Sequence, residues 1–593
     1  MSQLDMLIVS IPVLDLQYPP SSPAVIKSCV NAAGYSARTE DLNILLLDIC
    51  ASKEKFWQVQ YNFENAYFNS NMQDDDPVQN FFQQEHELIR QWLDASIDVI
   101  KSHNPRWLGI SVFSYKSHKA CLALVAEIRR LKLDIKIVLG GRGASSYALG
   151  PDHPKFKASI ERYWGKYPHR NFGETLLHYG QIDKVIHGDG ENAVVELLEN
   201  DTPASVTAQV GDIDLEAVPF VDFDDYDLTA YDYVNEPIIP ITGSKGCVRK
   251  CTFCDIPVLW PRFRYRSGTH IAEEMIHLYN KHGVKKFYMT DSLVNGSMRA
   301  FTDFITILAQ HNTANPGKEI KWVGQYITRT RSATLNDQYY DLLKASGGEG
   351  LTIGVESGSD SVREHMKKQF TTADVDHELA EFDRRGIVCV LLFFSCYPTE
   401  TWNDFVDTIN MFIKYQQYCA SGTVYKITLG TPYTHHAQTP LWNMQDEIGL
   451  GSKKGSDILW RLASNPELTY YERIRRRLIL QEVCMALKLP MSRNVAELNQ
   501  LIDSIDNYKN EIEEYFQESA NAAVYKDQYG LTEHEHILMP PDIQQQIFQH
   551  INANPGLGEK IIEKHRSFND DIMFENETYL KLRSRITNEI TPR

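Results

Sequence analysis

Three cysteines within one short segment form the pattern of greatest chemical interest in this chain. Cys247, Cys251 and Cys254 lie in Gly246-Cys-Val-Arg-Lys-Cys-Thr-Phe-Cys-Asp255, with the spacing Cys-x3-Cys-x2-Cys. Three thiolates at this spacing are able to bind three irons of a cubane [4Fe–4S] cluster. An electron-transfer cluster is closed by four cysteines, so a three-cysteine loop leaves one iron without a protein ligand. The segment therefore predicts a metal centre at which something other than protein is bound.

A structural zinc loop is the alternative interpretation, because cysteines at similar spacing also bind zinc. Structural zinc takes a fourth Cys or His ligand, normally at short spacing. The first downstream histidine is His270, at the start of a predicted helix. The sequence therefore favours the three-ligand cluster and keeps zinc as the alternative.

The segment that leads into the cysteines suits a ligand loop. An apolar run at 237–241 predicts a strand, so the thiols follow the carboxyl end of a strand. Glycine allows the backbone to approach a ligand closely, and nearby positive charge favours thiolate over thiol. The residues with these properties are Gly243, Gly246, Lys245, Arg249 and Lys250.

The first 200 residues alternate strand and helix patterns, as in a doubly wound, Rossmann-like α/β domain with a parallel sheet. The predicted strands are 6–11, 35–42, 107–112, 135–139 and 184–187, and the predicted helices are 24–33, 87–102 and 118–131. Residues 51–85 are polar and aromatic, which indicates an insertion or loop. Residues 201–236 contain many Asp and Pro residues and are predicted to be a linker.

From residue 237 to residue 440 the alternation becomes regular. Strands are predicted at 237–241, 284–290, 320–326, 351–356, 387–394 and 424–429. Amphipathic helices lie between them, and Gly283 and Gly386 fall at helix ends where a left-handed cap is useful. Six such units predict a partial (β/α)6 barrel (a partial TIM barrel), open on one side, with its chemistry at the carboxyl ends of the strands.

Residues 441–593 are predicted to be mostly helical, with helices at 470–487, 495–520 and 541–551. Four arginines in the first of these helices are predicted to form a solvated face: Arg473, Arg475, Arg476 and Arg477. Two histidine pairs are predicted to be surface residues rather than metal ligands: His435 with His436, and His534 with His536.

The cysteine spacing, with Phe253 just before the last cysteine, resembles the signature of radical S-adenosylmethionine (radical SAM) enzymes. The order of a doubly wound domain, a linker and a barrel over residues 1–440 resembles the cobalamin-binding members of that family. The resemblance implies that the open iron chelates the amino and carboxylate groups of SAM. It also implies one-electron reduction of SAM to methionine and a 5′-deoxyadenosyl radical, with Phe253 among the cofactor-binding residues.

Glu356 is the candidate ribose ligand. The segment Gly354-Val-Glu-Ser-Gly-Ser359 ends the predicted fourth barrel strand and is followed by Met366-Lys367-Lys368. It resembles the Gly-Ile-Glu-Ser-Gly-Ser segment of many radical SAM enzymes. A carboxylate at a strand end can accept hydrogen bonds from both ribose hydroxyls, and a solvated turn acid is the alternative.

The resemblance implies further SAM contacts at the ends of the second and third barrel strands. Thr290, Asp291 and Ser292 close the second strand, where the family commonly contacts the SAM amino group, although the usual Gly-Gly-Glu is absent. Gln325 and Arg329 close the third strand. Arg329 could pair with the SAM carboxylate through a bidentate contact, or form an ordinary surface ion pair. The loops 397–401 and 430–433 are predicted to shape the pocket.

Cobalamin is the second cofactor that the resemblance implies. Small residues at strand ends let a flat macrocycle lie against the edge of such a sheet, and plain turn chemistry is the alternative. Tyr18-Pro-Pro20, before the first predicted helix, is one turn of this kind. The candidate cobalamin-binding residues lie at later strand ends and are Ser111, Ser114, Gly140, Gly141, Gly188 and Gly190. The sequence has no Asp-x-His-x-x-Gly motif to supply an axial histidine, so cobalamin is either bound without His ligation or absent.

The amino-acid composition limits the classes of binding partner that we expect. The formal net charge of −18 argues against a broad nucleic-acid surface. The N-terminal segment does not resemble a signal peptide, and no apolar run of about eighteen residues occurs. The seven other cysteines are predicted to be reduced core residues. We therefore expect a cytoplasmic protein without a membrane partner. The expected partners are a small-molecule or peptide substrate and an external electron donor of the flavodoxin or ferredoxin type.

The leading functional prediction is a cobalamin-dependent C-methyltransferase in which SAM serves as radical source and as methyl donor. One alternative is a radical SAM enzyme without cobalamin that catalyses rearrangement, ring formation or C–H abstraction. The other is a non-catalytic iron–sulfur or zinc module that reuses the fold.

Overall fold

The structure is a computed structural model, and it describes residues 3–65, 87–144, 172–200, 205–209, 213–231, 236–330, 335–436, 439–452, 458–491, 501 and 539–565. The chain divides into two compact units. The first unit comprises Met1–Cys247, Val258–Ser292 and Gly317–Ile320. The second comprises Val248–Pro257, Leu293–Pro316 and Lys321–Arg593. Each unit is described separately below.

The first unit contains a six-stranded parallel sheet with the order β2-β1-β3-β4-β5-β6. Its strands are β1 Leu4–Ser10, β2 Ala37–Asp41, β3 Pro105–Ser111, β4 Lys136–Gly140, β5 Lys184–Gly188 and β6 Ser205–Gln209. Strand β1 has β2 on one side and β3 on the other, so the order of the strands reverses at β1. The doubly wound topology predicted from the alternation is therefore present.

Helices cover both faces of this sheet. They are α1 Ser21–Ala32, α2 Leu42–Cys50, α3 Lys53–Asn65, α4 Glu87–His103, α5 His118–Arg130, α6 Phe172–His178 and α7 Glu191–Asn200. Alternate residues of β1 enter two different apolar cores, with Leu7 and Val9 in one and Met6 and Ile8 in the other. Burial on both faces explains why β1, β3 and β4 are largely apolar, as in other parallel sheets.

Two segments differ from the sequence prediction. Part of the predicted insertion at 51–85 is helix α3, in which Phe56 and Val59 are buried against the core while Trp57 is exposed; residues 66–86 lie outside the described residues. Part of the predicted linker at 201–236 is strand β6, which pairs with β5 in parallel. In α3 the apolar residues Phe56, Val59 and Phe63 have helical spacing but lie among polar neighbours, whereas β6 is a five-residue segment with few apolar residues.

The six strands predicted for the barrel are all present. In the first unit β7 Ile238–Ile241 pairs with β10 Lys286–Met289, and a short antiparallel pair is formed by β8 Ser244–Lys245 and β9 Arg264–Tyr265. In the second unit the parallel strands follow the chain order β11 Lys321–Tyr326, β12 Leu351–Glu356, β13 Cys389–Phe393 and β14 Val424–Leu429.

Helices follow the barrel strands, and their ends carry the expected caps. They are α8 Ile256–Leu259, α9 Gly268–His282, α10 Met298–Ala314, α11 Asp337–Ala345, α12 Asp360–His365, α13 Thr372–Arg385 and α14 Trp402–Ser421. Gly283 and Gly386 end α9 and α13 with φ of 71° and 62°, as predicted for left-handed caps. Thr371 and Thr401 begin α13 and α14 with capping boxes.

The C-terminal part of the second unit is partly helical. Its elements are α15 Pro440–Asn443, α16 Gln445–Ile448, the antiparallel pair β15 Leu450–Ser452 and β16 Trp460–Leu462, α17 Tyr470–Ala486, α18 Pro541–Ala553 and α19 Leu557–His565. The helices predicted at 470–487 and 541–551 are present as α17 and α18. The prediction at 495–520 and the pair His534/His536 lie outside the described residues, apart from residue 501. Among the described helices, none combines the length and the apolar character of a membrane span.

Candidate active site

The cysteine loop follows strand β7, as the sequence predicts. Cys247 belongs to the first unit and Cys251 and Cys254 to the second. None of the three is in a disulfide; Cys251 is buried and the other two are half-buried. In the part of the chain that the structure describes, no three His, Cys, Asp or Glu side chains converge as a ready-made metal site. The fit to a cluster therefore rests on the chemistry of three thiols outside any disulfide and on the charge around them.

Thr252 joins the second half of the cysteine loop to two other segments of the second unit. Its backbone N–H donates to the Met366 carbonyl at 3.1 Å, and its carbonyl accepts from the Leu441 N–H at 2.8 Å. The Thr252 hydroxyl lies 2.8 Å from the Tyr397 hydroxyl. The backbone between Cys251 and Cys254 is thus fixed on both sides by hydrogen bonds. Tyr397 begins one of the two loops that we predicted to shape the pocket.

Phe253 lies beside a group of aromatic residues. Its ring meets the Phe394 ring edge-on with 5.1 Å between centroids. Phe394 and Tyr397 contact Tyr433, from the second predicted pocket loop, with centroid distances of 6.3 and 5.7 Å. Phe253 packs against a core that includes Tyr397, Tyr433 and Trp460. This packing fixes the orientation of the residue that precedes the last cysteine.

Glu356 ends strand β12 in a strained backbone conformation. Its φ is +69°, in the left-handed region that few side-chain-bearing residues adopt. A register irregularity lies between Gly354 and Glu356 in the pairing of β12 with β13. Irregularities of this kind are common beside active sites, where they re-aim a side chain. The Glu356 side chain is directed to the Lys368 ammonium, which donates to Oε1 at 3.0 Å.

The two glycines around Glu356 are required by close contacts. A Cβ at Gly354 would meet Glu356 Oε1 and would lie 3.2 Å from Lys368 Nζ. A Cβ at Gly358 would lie 2.5 Å from the Asp407 carbonyl oxygen in α14, and the Gly358 N–H donates to Thr408 Oγ1 at 2.9 Å. Close packing therefore explains why both Gly354 and Gly358 are glycines. The role implied for Glu356 in ribose binding is separate from this packing.

Asp291 of the first unit binds the start of the cysteine loop. Its carboxylate accepts from the Gly243 N–H at 2.9 Å and from the Ser244 hydroxyl at 2.5 Å. Burial raises the pKa of Asp291 to about 6. Thr290 donates its N–H to the Ile241 carbonyl at 2.8 Å and Ser292 is half-buried. The Asp291 carboxylate thus positions the loop, and the SAM amino contact stays a prediction for these three residues.

The sequence predicts that Lys245 places positive charge near the cysteine thiols, and in the structure it belongs to a cluster of ion pairs. Its ammonium donates to Asp189 at 2.9 Å and to Glu191 at 2.5 Å, and Arg264 donates to Asp189 at 2.7 Å. Burial alone would raise the pKa of Asp189, but the charges of Lys245 and Arg264 bring it below its ordinary value. We name the four residues Asp189, Glu191, Lys245 and Arg264 the loop clamp. Gly188, with φ +77°, and Gly190 form the turn that presents its two acids.

Gln325 and Arg329 lie near each other in the second unit. The Gln325 carbonyl accepts from the Val294 N–H at 2.8 Å. Arg329 Nη2 donates to the carbonyls of Asn295 and Gly296, the latter at 2.7 Å, while its buried Nε has no hydrogen-bond partner among the residues that the structure describes. Arg329 therefore binds the loop that follows Leu293. Its pairing with a SAM carboxylate stays a prediction.

The carboxyl ends of β1, β3 and β4 form the candidate cobalamin crevice. Ser111 lies between Ser10 and Gly140 in the strand register. Among the described residues, no atom lies within 4 Å of a Cβ built at Gly140. The Ser10 hydroxyl is buried and has no hydrogen-bond partner in that part of the chain, and the Phe113 side chain is 64% exposed. These features lie near the point where the strand order reverses. The space at Gly140, the Ser10 hydroxyl and the exposed Phe113 ring together fit a flat ligand.

The remaining crevice candidates shape the backbone. Gly141 has φ +93°, and a Cβ there would lie 2.6 Å from the Val112 carbonyl oxygen. Ser114 accepts a hydrogen bond from the Lys116 N–H through Oγ at 3.3 Å. The Tyr18 ring stacks on Tyr288 of β10 with 5.1 Å between centroids. Close backbone approach is the reason for glycine at 141.

The solvated-face prediction for the arginines of α17 is wrong. Arg476 pairs with Glu472 at 2.9 Å and with Glu400 at 3.2 Å, and Arg477 donates to the Gly430 carbonyl at 2.9 Å. The buried arginines of this helix are Arg473, Arg475, Arg476 and Arg477. Glu472 lies on the same helix, but Glu400 and Gly430 come from distant segments of the chain, so the run of charges gave no indication of burial.

His435 also differs from the prediction of a surface residue. Its ring is fully buried, with Nδ1 3.1 Å from the Tyr433 hydroxyl and Nε2 3.3 Å from Gln445 Oε1, and it stacks on Trp442. His436 is exposed, as predicted. The seven cysteines outside the loop are buried free thiols, as predicted.

Lys368 is the site residue that sequence reasoning missed. Its ammonium contacts Glu356, and the charges of Cys251 and Cys254 act on it. The available signal was the Met366-Lys367-Lys368 segment that follows Gly-x-Glu-Ser-Gly-Ser. Only the fold distinguishes the buried lysine from its exposed neighbour.

Comparison with known families identifies the barrel. Residues 241–412 match the Radical SAM superfamily, so this stretch of the chain is a radical SAM domain, as the cysteine pattern predicts. The chain is 22% identical over 271 residues to an anaerobic magnesium-protoporphyrin IX monomethyl ester cyclase of Synechocystis sp., covering 43% of this chain and 53% of that protein. The chain thus spans about half the length of that relative. An uncharacterised methyltransferase of Pyrococcus horikoshii is 22% identical over 373 residues, covering 58% of this chain and 70% of that protein.

Solved structures extend the likeness beyond the barrel. OxsB, a cobalamin-dependent S-adenosylmethionine radical enzyme solved with aqua-cobalamin and SAM, superposes with a TM-score of 0.58 at 11% identity, covering 99% of this chain and 79% of its own. TsrM of Kitasatospora setae, a radical SAM methyltransferase solved with cobalamin and a [4Fe–4S] cluster, has a TM-score of 0.51 at 15% identity, covering 80% and 85%. The predicted fold class, an N-terminal doubly wound domain followed by a radical SAM barrel, is confirmed.

Proposed function

We propose that the chain is an enzyme that binds a [4Fe–4S] cluster through Cys247, Cys251 and Cys254 and cleaves SAM reductively. The observation that carries this proposal is the three-thiol loop within a radical SAM domain, with its second half hydrogen-bonded to Met366, Tyr397 and Leu441. A bound cluster would supply the single electron that divides SAM into methionine and a 5′-deoxyadenosyl radical. The residues of the chain bind and orient SAM and exclude water from the radical.

The site residues take distinct parts in SAM binding. We assign the ribose hydroxyls to the Glu356 carboxylate, whose backbone is distorted and whose side chain is fixed by Lys368. Phe253 packs beside the cysteines, Gln325 and Arg329 lie near the carboxyl end of β11, and Thr290, Asp291 and Ser292 follow β10. We assign the SAM carboxylate to Arg329 and the amino group to the Thr290–Ser292 segment.

We further propose that the crevice beside Ser111, Ser114, Gly140 and Gly141 binds cobalamin and that the reaction is methylation of a carbon. The open space above Gly140 and the unpartnered Ser10 hydroxyl support a ligand at this place. Bound cobalamin would carry the methyl group from a second SAM molecule. Gly188 and Gly190 serve the loop clamp and leave the crevice to β1, β3 and β4.

A second candidate function is a radical SAM reaction without methyl transfer. It is favoured by the absence of an Asp-x-His-x-x-Gly motif from the sequence. It also fits the likeness to a cyclase over part of the chain. The substrate would be a small molecule or a peptide, and an external one-electron donor would be needed in either case.

Anaerobic reconstitution tests the cluster. The wild-type chain should bind about four irons and four sulfides and release 5′-deoxyadenosine from SAM with a strong reductant. Alanine at any of the three loop cysteines should abolish release, whereas Cys484→Ala, in the core of the second unit, should leave it intact. Deoxyadenosine formation by a loop variant would refute the proposal. Purification with supplied cobalamin, read by visible absorption, separates the two candidate functions.

A SAM-binding titration distinguishes an enzyme from a non-catalytic module. A sensor with three cysteine ligands has no need of SAM, and a zinc module would contain zinc in place of iron. We expect SAM to bind the reconstituted chain and to change the electron paramagnetic resonance (EPR) signal of the reduced cluster. An unchanged signal at saturating SAM would favour the non-catalytic module.

A further inference from the structure

Lys368 is a buried lysine at the candidate active site, and neither the family match nor the motif assigns it a role. It follows α12 and its residue is 6% exposed, whereas Lys367 beside it is exposed. Its Nζ donates to Glu356 Oε1 at 3.0 Å. A buried ammonium with only part of its hydrogen-bonding capacity used by one carboxylate is uncommon in a protein core.

The backbone around Lys368 is bent so that this side chain enters the core. Lys367 and Gln369, its two neighbours, have φ of +60° and +59°. The Lys368 N–H donates to the Arg363 carbonyl at 3.0 Å, and Lys367 N–H to the Glu364 carbonyl at 2.9 Å. Left-handed backbone at non-glycine residues is maintained only where the surrounding structure demands it, and it concentrates at functional sites. The bend turns Lys367 outward and Lys368 inward.

The charge environment of Lys368 links it to the cysteine loop. Its ammonium lies 5.7 Å from the centroid of the Phe253 ring and 5.8 Å from that of Phe370. Burial alone would lower the pKa of Lys368, but the charges of Glu356, Cys251 and Cys254 raise it above its ordinary value. Of the three cations in the cysteine loop, Lys245 pairs within the loop clamp, Arg249 donates to Gln369, and Lys250 is exposed. Lys368 is therefore a buried cation acting on Cys251 and Cys254.

We propose that Lys368 is a positioning residue with two effects: its ammonium orients the Glu356 carboxylate for the SAM ribose, and its charge stabilises the reduced cluster. The inference rests on the proposed function. Reduction adds one negative charge to the cluster, and a fixed cation nearby favours that state in a low-dielectric site. Hydrogen bonds and charges around a cluster are among the factors that set its potential. Lys368 thus makes the cluster easier to reduce and prepares Glu356 before SAM binds.

Three substitutions at this position separate the two effects. Lys368→Gln keeps a hydrogen-bond donor but removes the charge, Lys368→Met removes both, and Lys368→Arg keeps the charge. Lys367→Met is the matched control, because it removes an exposed lysine from the same bend. Each variant is reconstituted anaerobically, and its iron content and the thermal midpoint of the apo chain are recorded first.

The first readout is an EPR-monitored redox titration of the cluster without SAM. The midpoint potentials of Lys368→Gln and Lys368→Met should fall by ~60 mV, a tenfold shift for a one-electron couple. Lys368→Arg and Lys367→Met should stay near wild type. The second readout is the SAM dissociation constant, which should rise about tenfold in Lys368→Met and less in Lys368→Gln, since a donor is retained.

The outcomes are distinguishable from failure of the proposed function. If the wild-type chain binds no cluster or does not cleave SAM, the proposed function itself is wrong. If the wild-type chain does both, while Lys368→Met and Lys368→Gln keep its potential and its SAM affinity, only the role of Lys368 is refuted. Loss of iron in Lys368→Gln with retention in Lys368→Arg, at equal apo midpoints, supports the need for the charge. Equal loss of iron in both would refute it.

Discussion

Left-handed backbone at side-chain-bearing residues gathers around the candidate ribose site. Glu356, Lys367, Gln369 and Cys396 have φ between +59° and +69°, and each such residue costs about 1–3 kcal/mol. Glu356 and Lys368 are linked by a hydrogen bond, and Cys396 follows β13, the neighbour of β12. The surrounding packing maintains this strain, which indicates that the direction of the Glu356 carboxylate matters more to this site than local stability.

At the residue scale, Glu356→Gln should weaken SAM binding by about 10- to 100-fold, the effect of losing a hydrogen bond to a charged group. The amide keeps the size of the side chain but loses the charge that accepts from two ribose hydroxyls and from Lys368. Isothermal titration of the reconstituted chain measures the change. Glu349→Gln is the control, because Glu349 pairs with Lys321 on the surface. Wild-type affinity in Glu356→Gln would contradict the ribose assignment.

Glu378 gives a pH dependence that is independent of any cofactor. It is buried in the second unit, where the Tyr326 hydroxyl donates to its Oε1 at 2.7 Å, and burial raises its pKa from 4.5 to about 7. Between these values the folded chain holds a proton that the unfolded chain has lost. Stability from this group is therefore present at low pH and declines as the pH rises from about 4.5 to 7, by ~3 kcal/mol in all.

Glu378→Gln should remove this decline, because the amide stays neutral and still accepts from Tyr326. Relative to wild type, the thermal midpoint of the variant should rise between pH 5 and pH 8. Scanning fluorimetry of the two apo chains at matched heating rates measures the difference. A constant difference across that range would contradict the assignment of a raised pKa to Glu378.

At the scale of elements, the turn from β5 to α7 and the strand pair β8–β9 hold the cysteine loop from the side of the first unit. Asp189 and Glu191 come from the turn, and Lys245 and Arg264 come from the strand pair. Both acids are buried. A short loop with two glycines is flexible by itself, so the four charges of the loop clamp restrict the backbone that ends at Cys247.

Lys245→Met should therefore lower both the thermal midpoint and the iron content after reconstitution. Removal of one partner from a buried ion pair costs about 3–5 kcal/mol, because a charge is left unpaired. The double variant Lys245→Met with Glu191→Gln should recover part of the loss, since it removes the acid that is left unpaired, while Asp189 keeps its pair with Arg264. Lys250→Met, at an exposed position in the same loop, is the control. Full iron in Lys245→Met would show that the loop clamp has no part in cluster binding.

The elements differ in how well the sequence predicts them. Barrel strands such as β12 and β14 have the predicted bounds, because each is a short apolar run between turn residues. The buried arginines of α17 and the buried His435 were predicted as surface residues, because burial depends on partners such as Glu400 and Gln445 that local periodicity does not reveal. For the same reason the sequence places Cys247, Cys251, Cys254 and Glu356 as candidates, while the loop clamp and Lys368 emerge only from the fold.

At the scale of the whole molecule, the chain carries a doubly wound sheet in addition to the radical SAM domain, and we propose a separate ligand crevice on this sheet. Strand order reverses between β2, β1 and β3, and sheets of this type bind ligands at such a reversal, beyond the carboxyl ends of the strands. The crevice and the cysteine loop draw on different segments of sequence. The two cofactors that we propose should therefore be separable by substitution.

Gly140→Leu tests that separation. No atom of the described residues lies within 4 Å of a Cβ at Gly140, so a larger side chain there would extend into the space that we assign to cobalamin. Overfilling of a packed site costs about 1–3 kcal/mol, so the affinity for cobalamin should fall roughly 5- to 150-fold. In Gly140→Leu, iron content and deoxyadenosine release should stay at wild-type levels. The cobalamin affinity of Gly140→Ala should lie between those of Gly140→Leu and wild type. Visible absorption after gel filtration measures the amount of cobalamin bound per chain. Undiminished cobalamin in Gly140→Leu would exclude this crevice as the binding site. A parallel loss of iron would contradict the independence of the two sites.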